Sequence, residues 1–348
     1  MKFRRASTLA MSFEDGQVAI HNFLTKTSFS CSEQCLTFLA DLDDWNTGEQ
    51  LFAYFPDTDR NGVAAQITRL VALNALLVKG SPQAELDEKY RKSWQWGAVT
   101  GFYHFSSRNT RFLNGKAARL FIRKRKAMRP SPSLYKSNAG ATKVVPLPAT
   151  DVGIEPFATM RTRRSERKFL GEPVRLQALA DCLFAGNGIV DFVVDKDFGR
   201  LPLTMTPSGG ARNPYELYLY ANRVEKLKPG FYHYSARSRD LGLIRPGRVD
   251  IQEMLAGQKW PTTAGAIIFL TAFFPRTMWK YHMPLAYRVV LMEAGFIGQN
   301  IALAATYHGM SAVPSGALDN GLVERYLGVP EVETAVVLSM SLGKASGN

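Results

Sequence analysis

The chain lacks the marks of a membrane or secreted protein. No run of eighteen apolar residues occurs, so no membrane span is expected. The start, Met1-Lys2-Phe3-Arg4-Arg5, has charge but no apolar stretch behind it, and Glu14 and Asp15 come too early for a signal peptide. There are only three cysteines, a poor basis for a disulfide framework. Cys31 and Cys35 stand four apart, one face of a helix, yet nothing supplies partner ligands at metal spacing. All three, with Cys182, read as reduced residues, and a cytoplasmic location is expected. No G-x-G-x-x-G fingerprint is present.

What is there is a soluble composition, 46% hydrophobic and 21% charged, over 348 residues, enough for two domains or one domain with an appendage. The net charge of +13 is uneven. Residues 1–150 carry 21 Lys+Arg against 12 Asp+Glu. The excess is densest from Lys116 to Arg129, where seven basic residues meet no acid. Such a stretch is either a solvated helix face or a surface for an acidic peptide, a phosphate or a nucleic acid.

Residues 7–23 alternate about Asp15-Gly16, a hairpin signal. Ser30 or Ser32 caps a helix to about Leu42, and Thr47 caps a second. A third is expected from about Asn61 to Leu77, stopped by Lys79-Gly80-Ser81-Pro82. Three short helices beside a hairpin suggest a winged-helix-like domain over 1–128, either a peptide-recognition element or a plain appendage. A further helix over Glu85–Thr100 carries Trp94 and Trp96, and His104 among aromatics reads as a packed core histidine. Five prolines with Ser and Gly across 129–156 read as a linker.

The second domain is expected over 157–348. Arg161, Arg163, Arg164, Ser165 and Arg167 form a polar cluster suited to an anion, because guanidinium forks match phosphate oxygens. Residues 205–218, M-T-P-S-G-G-A-R-N-P-Y-E-L-Y, are the stretch on which the reading turns. Gly209 and Gly210 let a backbone approach a flat ligand, since no Cβ intervenes; the plain alternative is an ordinary turn. Strands are expected at Tyr215–Tyr220, Gly230–Tyr234, Leu241–Pro246, Ala264–Phe274, Met310–Gly316 and Thr334–Leu342. Residues 286–306 read as an apolar helix interrupted by Glu293, Gln299 and Asn300. Helix–strand alternation about a long buried helix indicates α+β, with helices against one sheet.

Four motifs in order, R-R-S-E-R-K-F (Arg163–Phe169), the P-S-G-G-A-R-N-P-Y loop, G-F-Y-H-Y (Gly230–Tyr234) and W-K-Y…A-Y-R…E-A-G-F-I-G-Q-N, resemble the SagB-type dehydrogenases. These are FMN-dependent oxidases of nitroreductase fold that aromatise azolines to thiazoles or oxazoles in ribosomally made peptides. The N-terminal half resembles the family less specifically, through S-W-Q-W-G and F-Y-H-F-S-S-R. The resemblance implies an antiparallel-rich sheet flanked by helices, and a homodimer with FMN at the subunit interface. It places Arg163, Arg164, Ser165 and Arg167 on the flavin phosphate and ribityl chain. Pro207, Ser208, Gly209, Gly210 and Asn213 would line the ring, Ser315 and Gly316 would approach N5, and Lys344 would lie near the phosphate. Lys280 and Tyr281 match the catalytic Lys-Tyr pair. Glu293 departs from the commoner Asp, and Phe296 from a common His.

The chemistry asks for these types independently. Making an azole from an azoline removes a proton and a hydride, so it needs a base opposite a hydride acceptor. Lysine is such a base only if burial or nearby cations lower its pKa; Trp279, Tyr281 and Arg276 are the expected causes. The implied partners are a peptide-like azoline substrate, with a leader peptide or a cyclodehydratase. Two other readings are an NAD(P)H-fed nitro- or quinone-reductase and a nucleic-acid-binding winged helix fused to a degenerate flavin domain.

Overall fold

The computed structural model describes residues 1–56, 58–93, 97–107, 115–138, 140–148, 156–281, 283, 285–329 and 333–346. Trp94 and Trp96 lie outside the described residues, as does the side chain of His104. The chain divides into two compact units, Met1–Thr110 and Arg111–Asn348.

The first unit contains β1 (Lys2–Arg5), β2 (Leu9–Glu14), β3 (Gln17–Asn22), β4 (Thr27–Cys31), α1 (Glu33–Ala40), β5 (Asn46–Thr47), α2 (Gly48–Phe52), α3 (Arg60–Ala72), β6 (Leu76–Val78), α4 (Pro82–Ser93) and α5 (Gly97–Ser107). The hairpin forms as its turn residues require, with Asp15 and Gly16 both at positive φ. Ser32 caps α1, and Thr47 with Gln50 forms a capping box on α2. The helix expected to run to Leu77 ends at Ala72. Leu76–Val78 instead pairs with β1, so the unit is richer in strand than anticipated: two three-stranded sheets, β5-β1-β6 and β2-β3-β4.

The second unit contains α6 (Gly115–Met128), β7 (Val144–Pro146), α7 (Pro156–Thr162), α8 (Leu176–Asn187), β8 (Ile189–Asp195), β9 (Gly199–Thr204), β10 (Tyr215–Ala221), β11 (Gly230–Ser235), β12 (Asp240–Pro246), α9 (Ile251–Met254), β13 (Ala266–Phe273), α10 (Phe274–Met278), α11 (Leu285–Tyr307), β14 (Ser311–Ser315), α12 (Asn320–Leu327) and β15 (Thr334–Gly343). Seven strands form an antiparallel sheet in the order β14-β15-β13-β10-β11-β12-β7. Its two covered faces explain why β10 and β13 are buried along almost their whole length and do not alternate apolar with polar, Glu216 and Thr271 being the polar exceptions. Leu217, Leu219, Ile268 and Leu270 meet Leu179 and Leu183 of α8 and Val290, Ile297 and Ile301 of α11. Tyr218, Tyr220, Ile267 and Phe269 meet Met254, Val323 and Leu327 on the other side. By length and apolarity α11 would suit a membrane, but half of its most apolar window is buried in this core.

The boundary at residue 128 and the linker over 129–156 are corrected by packing. The basic helix α6 belongs to the second unit, where Arg123 pairs with Asp197 at 3.0 Å. Val144–Pro146 adds a seventh strand beside β12. Residues 129–138 form a strap: Arg129 O accepts from Trp279 Nε1, Ser131 Oγ from Arg212, Ser133 O from Arg276, and Lys136 Nζ donates to Tyr218 Oη at 3.0 Å. Prolines mark where the strap cannot join a sheet interior, a role that composition alone does not separate from a linker.

Beneath the strap lies a buried polar cluster. Arg276 pairs with Glu216, whose other oxygen faces His233 Nε2 at 3.0 Å. Burial pushes the Glu216 carboxyl up, but Arg276 and then His233 outweigh it and hold the group below its ordinary value. Its contribution to stability is therefore complete above the ordinary carboxylate range and lost as pH falls through the lower folded value. Glu216→Gln leaves a buried guanidinium without its counter-charge, and a loss of about 3–5 kcal/mol is expected. Urea unfolding monitored by tryptophan fluorescence checks this; a midpoint within error of wild type would refute it.

Candidate active site

Gly210 is the point on which the site residues converge. Its φ of +63° suits glycine, and its N–H makes no hydrogen bond among the described residues. A Cβ built there would collide with Tyr281 Oη and stand 2.7 Å from Lys280 Nζ. The Gly-Gly loop and the Lys-Tyr pair, 70 residues apart in sequence, thus meet through the one residue that leaves them room.

The loop around it is held rigid from three sides. Glu293 of α11 accepts from Gly209 N at 2.8 Å and from Ser208 Oγ at 3.0 Å. Asn300, two turns on, donates to Met205 O and Thr206 Oγ1. These are polar interruptions of an otherwise apolar helix, and both grip the loop. Sequence reasoning noted them without assigning this role. Asn213, expected at a ligand, also fastens the loop: its amide donates to Pro202 O and Ala211 O and accepts from Thr204 Oγ1. Ser208 Oγ is likewise engaged, by Glu293 and by Asn213 N. Of the five loop residues expected at a ligand, Gly210 keeps an N–H without a partner among the described residues, with half-buried Gly209 beside it and exposed Pro207 at the rim.

Lys280 is half-buried, with Nζ 4.2 Å from the centre of the Phe198 ring. Phe198 sits on the β8–β9 hairpin, an element absent from the sequence expectations. Its signal was the alternation Val190, Phe192, Val194 before the turn D-K-D-F-G. The Lys280 ammonium is held below its ordinary pKa, first by burial and then by Arg212, while Asp195 pulls the other way. Arg212, not the expected Arg276, is therefore the destabilising cation. It lies over the Trp279 ring and donates to Arg276 O and Ser131 Oγ, with no ion pair among the described residues. Its own pKa falls to about 10 through burial and Arg276. Tyr281 is pushed up, mainly by burial, so it stays protonated and able to donate. Burial likewise raises Glu293, against the pull of Gly209 and Ser208.

A second group of expected residues gathers elsewhere on this unit. Arg163 Nη1 donates to Ser165 Oγ at 3.2 Å. Ser311 Oγ, at the start of β14, accepts from Glu166 N at 3.0 Å. Residue Phe169 bridges Ala345, which brings the arginines beside Lys344. Arg167 lies over Trp260, and Gln258 links Trp260 to Ser315 Oγ. Lys344 forms a 3.1 Å pair with Glu172, exposed and hence weak. Gly316 is exposed beyond β14.

The two groups lie at opposite ends of the sheet. Tyr215 follows the Gly-Gly loop, whereas Ala221 pairs across β13 toward Leu342, beside Lys344. The seven residues of β10 between them span roughly 20 Å. One protomer does not bring the two groups together. Among the described residues no cluster of His, Cys, Asp or Glu suits a metal ion.

A model described as "Nitroreductase family" matches residues 160–344. The protein MJ1384 of Methanocaldococcus jannaschii, provisionally named a nitroreductase, is 29% identical over 171 residues, 49% of this chain and 82% of its own length. TfxB of Rhizobium leguminosarum bv. trifolii, named a trifolitoxin-processing protein, is 30% identical over 137 residues; the match spans 37% of this chain and only 37% of that relative. A crystal structure from Anabaena variabilis ATCC 29413, also provisionally named a nitroreductase, superposes with a TM-score of 0.50 at 22% identity. That match covers 68% of this chain and 49% of the other, a likeness of fold. The family match covers more than half the chain and both groups of site residues: the chain belongs to the nitroreductase family.

Proposed function

We propose that the chain is an FMN-dependent oxidase of the SagB-type group, converting azolines to azoles in a peptide or peptide-like substrate. The observation that carries this reading is the placement of Lys280 Nζ and Tyr281 Oη over the bare backbone of Gly210. TfxB, whose name assigns it to trifolitoxin processing, supports a natural-product setting.

The residues fit FMN. Arg163, Arg164, Arg167 and Lys344, with Ser165, supply forks and hydroxyl for a phosphate. The absence of a side chain at Gly210 lets Lys280 and Tyr281 pack against its backbone, and its N–H offers a donor for a ring edge. Ser315 and Gly316 stand between the two groups along the sheet. When bound, FMN supplies a two-electron acceptor that takes a hydride and passes the electrons to dioxygen. The chain's own part is the proton. Neutral Lys280 Nζ accepts it from the azoline ring carbon, and the protonated Tyr281 donates a hydrogen bond that orients the ring or the base. Burial and Arg212 raise the neutral fraction of Lys280, as this role requires.

The separation of the two groups supports a homodimer in which the arginine end of one copy meets the Gly-Gly end of the other. Tyr287, Leu291, Met292 and Phe296 form an exposed apolar stripe on α11 suited to a second copy. A reductase fed by NAD(P)H is the competing reading, favoured by the name of MJ1384.

Three outcomes are expected. Lys280→Ala retains FMN, seen in the visible spectrum, and loses about 10²–10⁴-fold in azoline oxidation, with Tyr281→Phe affected less; wild-type rates in both variants would overturn the assignment. The rate should rise with pH to a plateau as Lys280 loses its proton. Asp195→Asn, which removes the carboxylate favouring the ammonium, shifts that limb to lower pH; a shift upward contradicts the base. Mixing equal amounts of Arg163→Glu and Lys280→Ala proteins, with subunit exchange, restores on the order of one quarter of wild-type activity, because half the dimers are mixed and carry one intact site. No recovery despite exchange would place both groups in one protomer's site. Flavin bleaching by NADPH without peptide would favour the reductase.

A further inference from the structure

The basic helix α6 takes no part in the flavin chemistry described above. Its orientation is set by the side it buries. Ile122 is buried and Phe121 and Arg125 are half-buried, so that side turns into the second unit. Lys116, Arg119, Arg123 and Lys126 are spaced three or four apart, which puts them in one row, and all four are exposed. From Lys116 to Lys126 the row runs roughly 15 Å at helical rise.

Two observations separate this row from an ordinary solvated face. Its end is fixed beside the candidate base. Arg123 pairs with Asp197 at 3.0 Å, and Lys126 Nζ donates to Asp197 O at 3.3 Å. The ring of the next residue, Phe198, lies 4.2 Å from Lys280 Nζ and edge-on to Trp279, whose indole donates to Arg129 O just beyond the helix. Asp195 joins the same two parts. Its carboxyl is held below the ordinary value chiefly by the N–H groups of Asp197 and Phe198, with Lys280 and then Arg119 adding to the effect. The row is also left charged: α6 contains no acid, and Lys116 and Arg119 form no ion pair among the described residues.

The shape of the row decides which anion fits. An extended peptide advances about 3.3 Å per residue, so about five residues cover it. A duplex presents phosphates on both sides of a groove about 12 Å wide, which one row of side chains does not span. Single-stranded nucleic acid stacks on exposed aromatic rings, and the aromatic residue of α6, Phe121, is half-buried. A membrane needs a continuous apolar face, whereas the exposed Leu120 and Met128 have Lys124 between them. A peptide rich in Asp or Glu meets none of these obstacles, and its continuation past Lys126 leads to Phe198 and Lys280.

We propose that α6 docks an acidic segment of the peptide substrate, about five residues long, along Lys116, Arg119, Arg123 and Lys126, and so delivers the neighbouring residues to Lys280. The identity of the docked chain as substrate rests on the peptide-oxidase reading above. Docking itself is read at equilibrium without turnover, so either idea can fail while the other stands.

The probes are fluorescein-labelled synthetic peptides with a run of glutamates, or of glutamines, joined through glycine to a last residue. Binding to the full chain is read by anisotropy with alanine in that last place, and turnover with a thiazoline there. The glutamate peptide is expected to bind at least tenfold more tightly than the glutamine one. That preference should vanish between about 0.1 M and about 1 M salt, where the Debye length drops from about 10 Å to about 3 Å. Lys116→Glu combined with Arg119→Glu should abolish it. Lys79→Glu combined with Lys92→Glu, the same change of net charge on exposed residues of the first unit, should leave it in place. In turnover the glutamate run should lower KM and leave kcat unchanged. Equal affinity for the two peptides, or an equal loss in both double variants, would overturn the proposal. So would tighter binding of duplex DNA, or of vesicles containing phosphatidylglycerol, abolished by the same α6 substitutions; the row would then serve a nucleic acid or a membrane. Selective binding without oxidation of either peptide would sink the oxidase reading and leave the docking surface. Oxidation of both peptides at one kcat/KM, with equal binding, would do the reverse.

Discussion

One buried guanidinium fixes the relation of the parts that meet at Gly210. Arg276 donates to Asn213 O at the end of the Gly-Gly loop, to Ser133 O in the strap and to Glu216 in β10. It also lies four residues before Lys280. A guanidinium taken out of water costs several kcal/mol unless its charge is balanced and its donors are used. Glu216 balances the charge, and the two carbonyls use donors that the carboxylate does not reach. The loop, the strap and the segment bearing the Lys-Tyr pair cannot shift independently without breaking one of these bonds. A buried ion pair is weak evidence for stability in itself, but here it sets a geometry.

The same pairing divides the electrostatic labour. Because Glu216 cancels Arg276, the cation felt at Lys280 is its neighbour Arg212, which among the described residues meets a carbonyl, a hydroxyl and an indole face and no carboxylate. Arg212 stays charged even with its pKa lowered to about 10, so it repels a proton on Lys280 throughout the neutral range. Asp195 on the hairpin pulls in the opposite direction. Lysine is the residue for which this balance matters, since its ammonium responds to burial and neighbours while arginine's rarely does.

Much of the second unit was legible. An unbroken apolar run named β13 and a largely apolar one β15, the glycine pair marked the loop, and the Arg–Ser cluster marked the anion-suited end. The capping residues Ser32 and Thr47 named two helices of the first unit. What escaped had no local signal or an ambiguous one. The strap reads as a linker because its fold value lies in carbonyls and hydroxyls offered to Arg212, Arg276 and Trp279, and every residue type offers those. The strand at Leu76–Val78 looks helical because three apolar residues fit either period; only β1 decides. The fastening role of Asn213 was not legible, because an amide beside a glycine loop serves a ligand or the loop equally well. The separation of the two site groups was not legible at all, because it follows from strand order in the sheet.

Glu293 and Asn300 show why an apolar helix keeps polar residues that it could have replaced. The loop holds Gly210, Ala211 and Asn213 at positive φ, and such a conformation costs about 1–2 kcal/mol at each non-glycine residue. Strain of that kind persists only where the surroundings overdetermine it. Glu293 fixes Gly209 and Ser208 from below, Asn300 fixes Met205 and Thr206, and Arg276 fixes Asn213 from the side. The strain is therefore met by α11 and the strap before any ligand arrives. A ligand laid against Gly210 meets a backbone already in its final shape and does not have to order the loop, which leaves more of the contact energy for binding. Replacing Glu293 by an apolar residue would improve the helix and release the loop, so the helix keeps its acid even though burial disfavours the carboxylate.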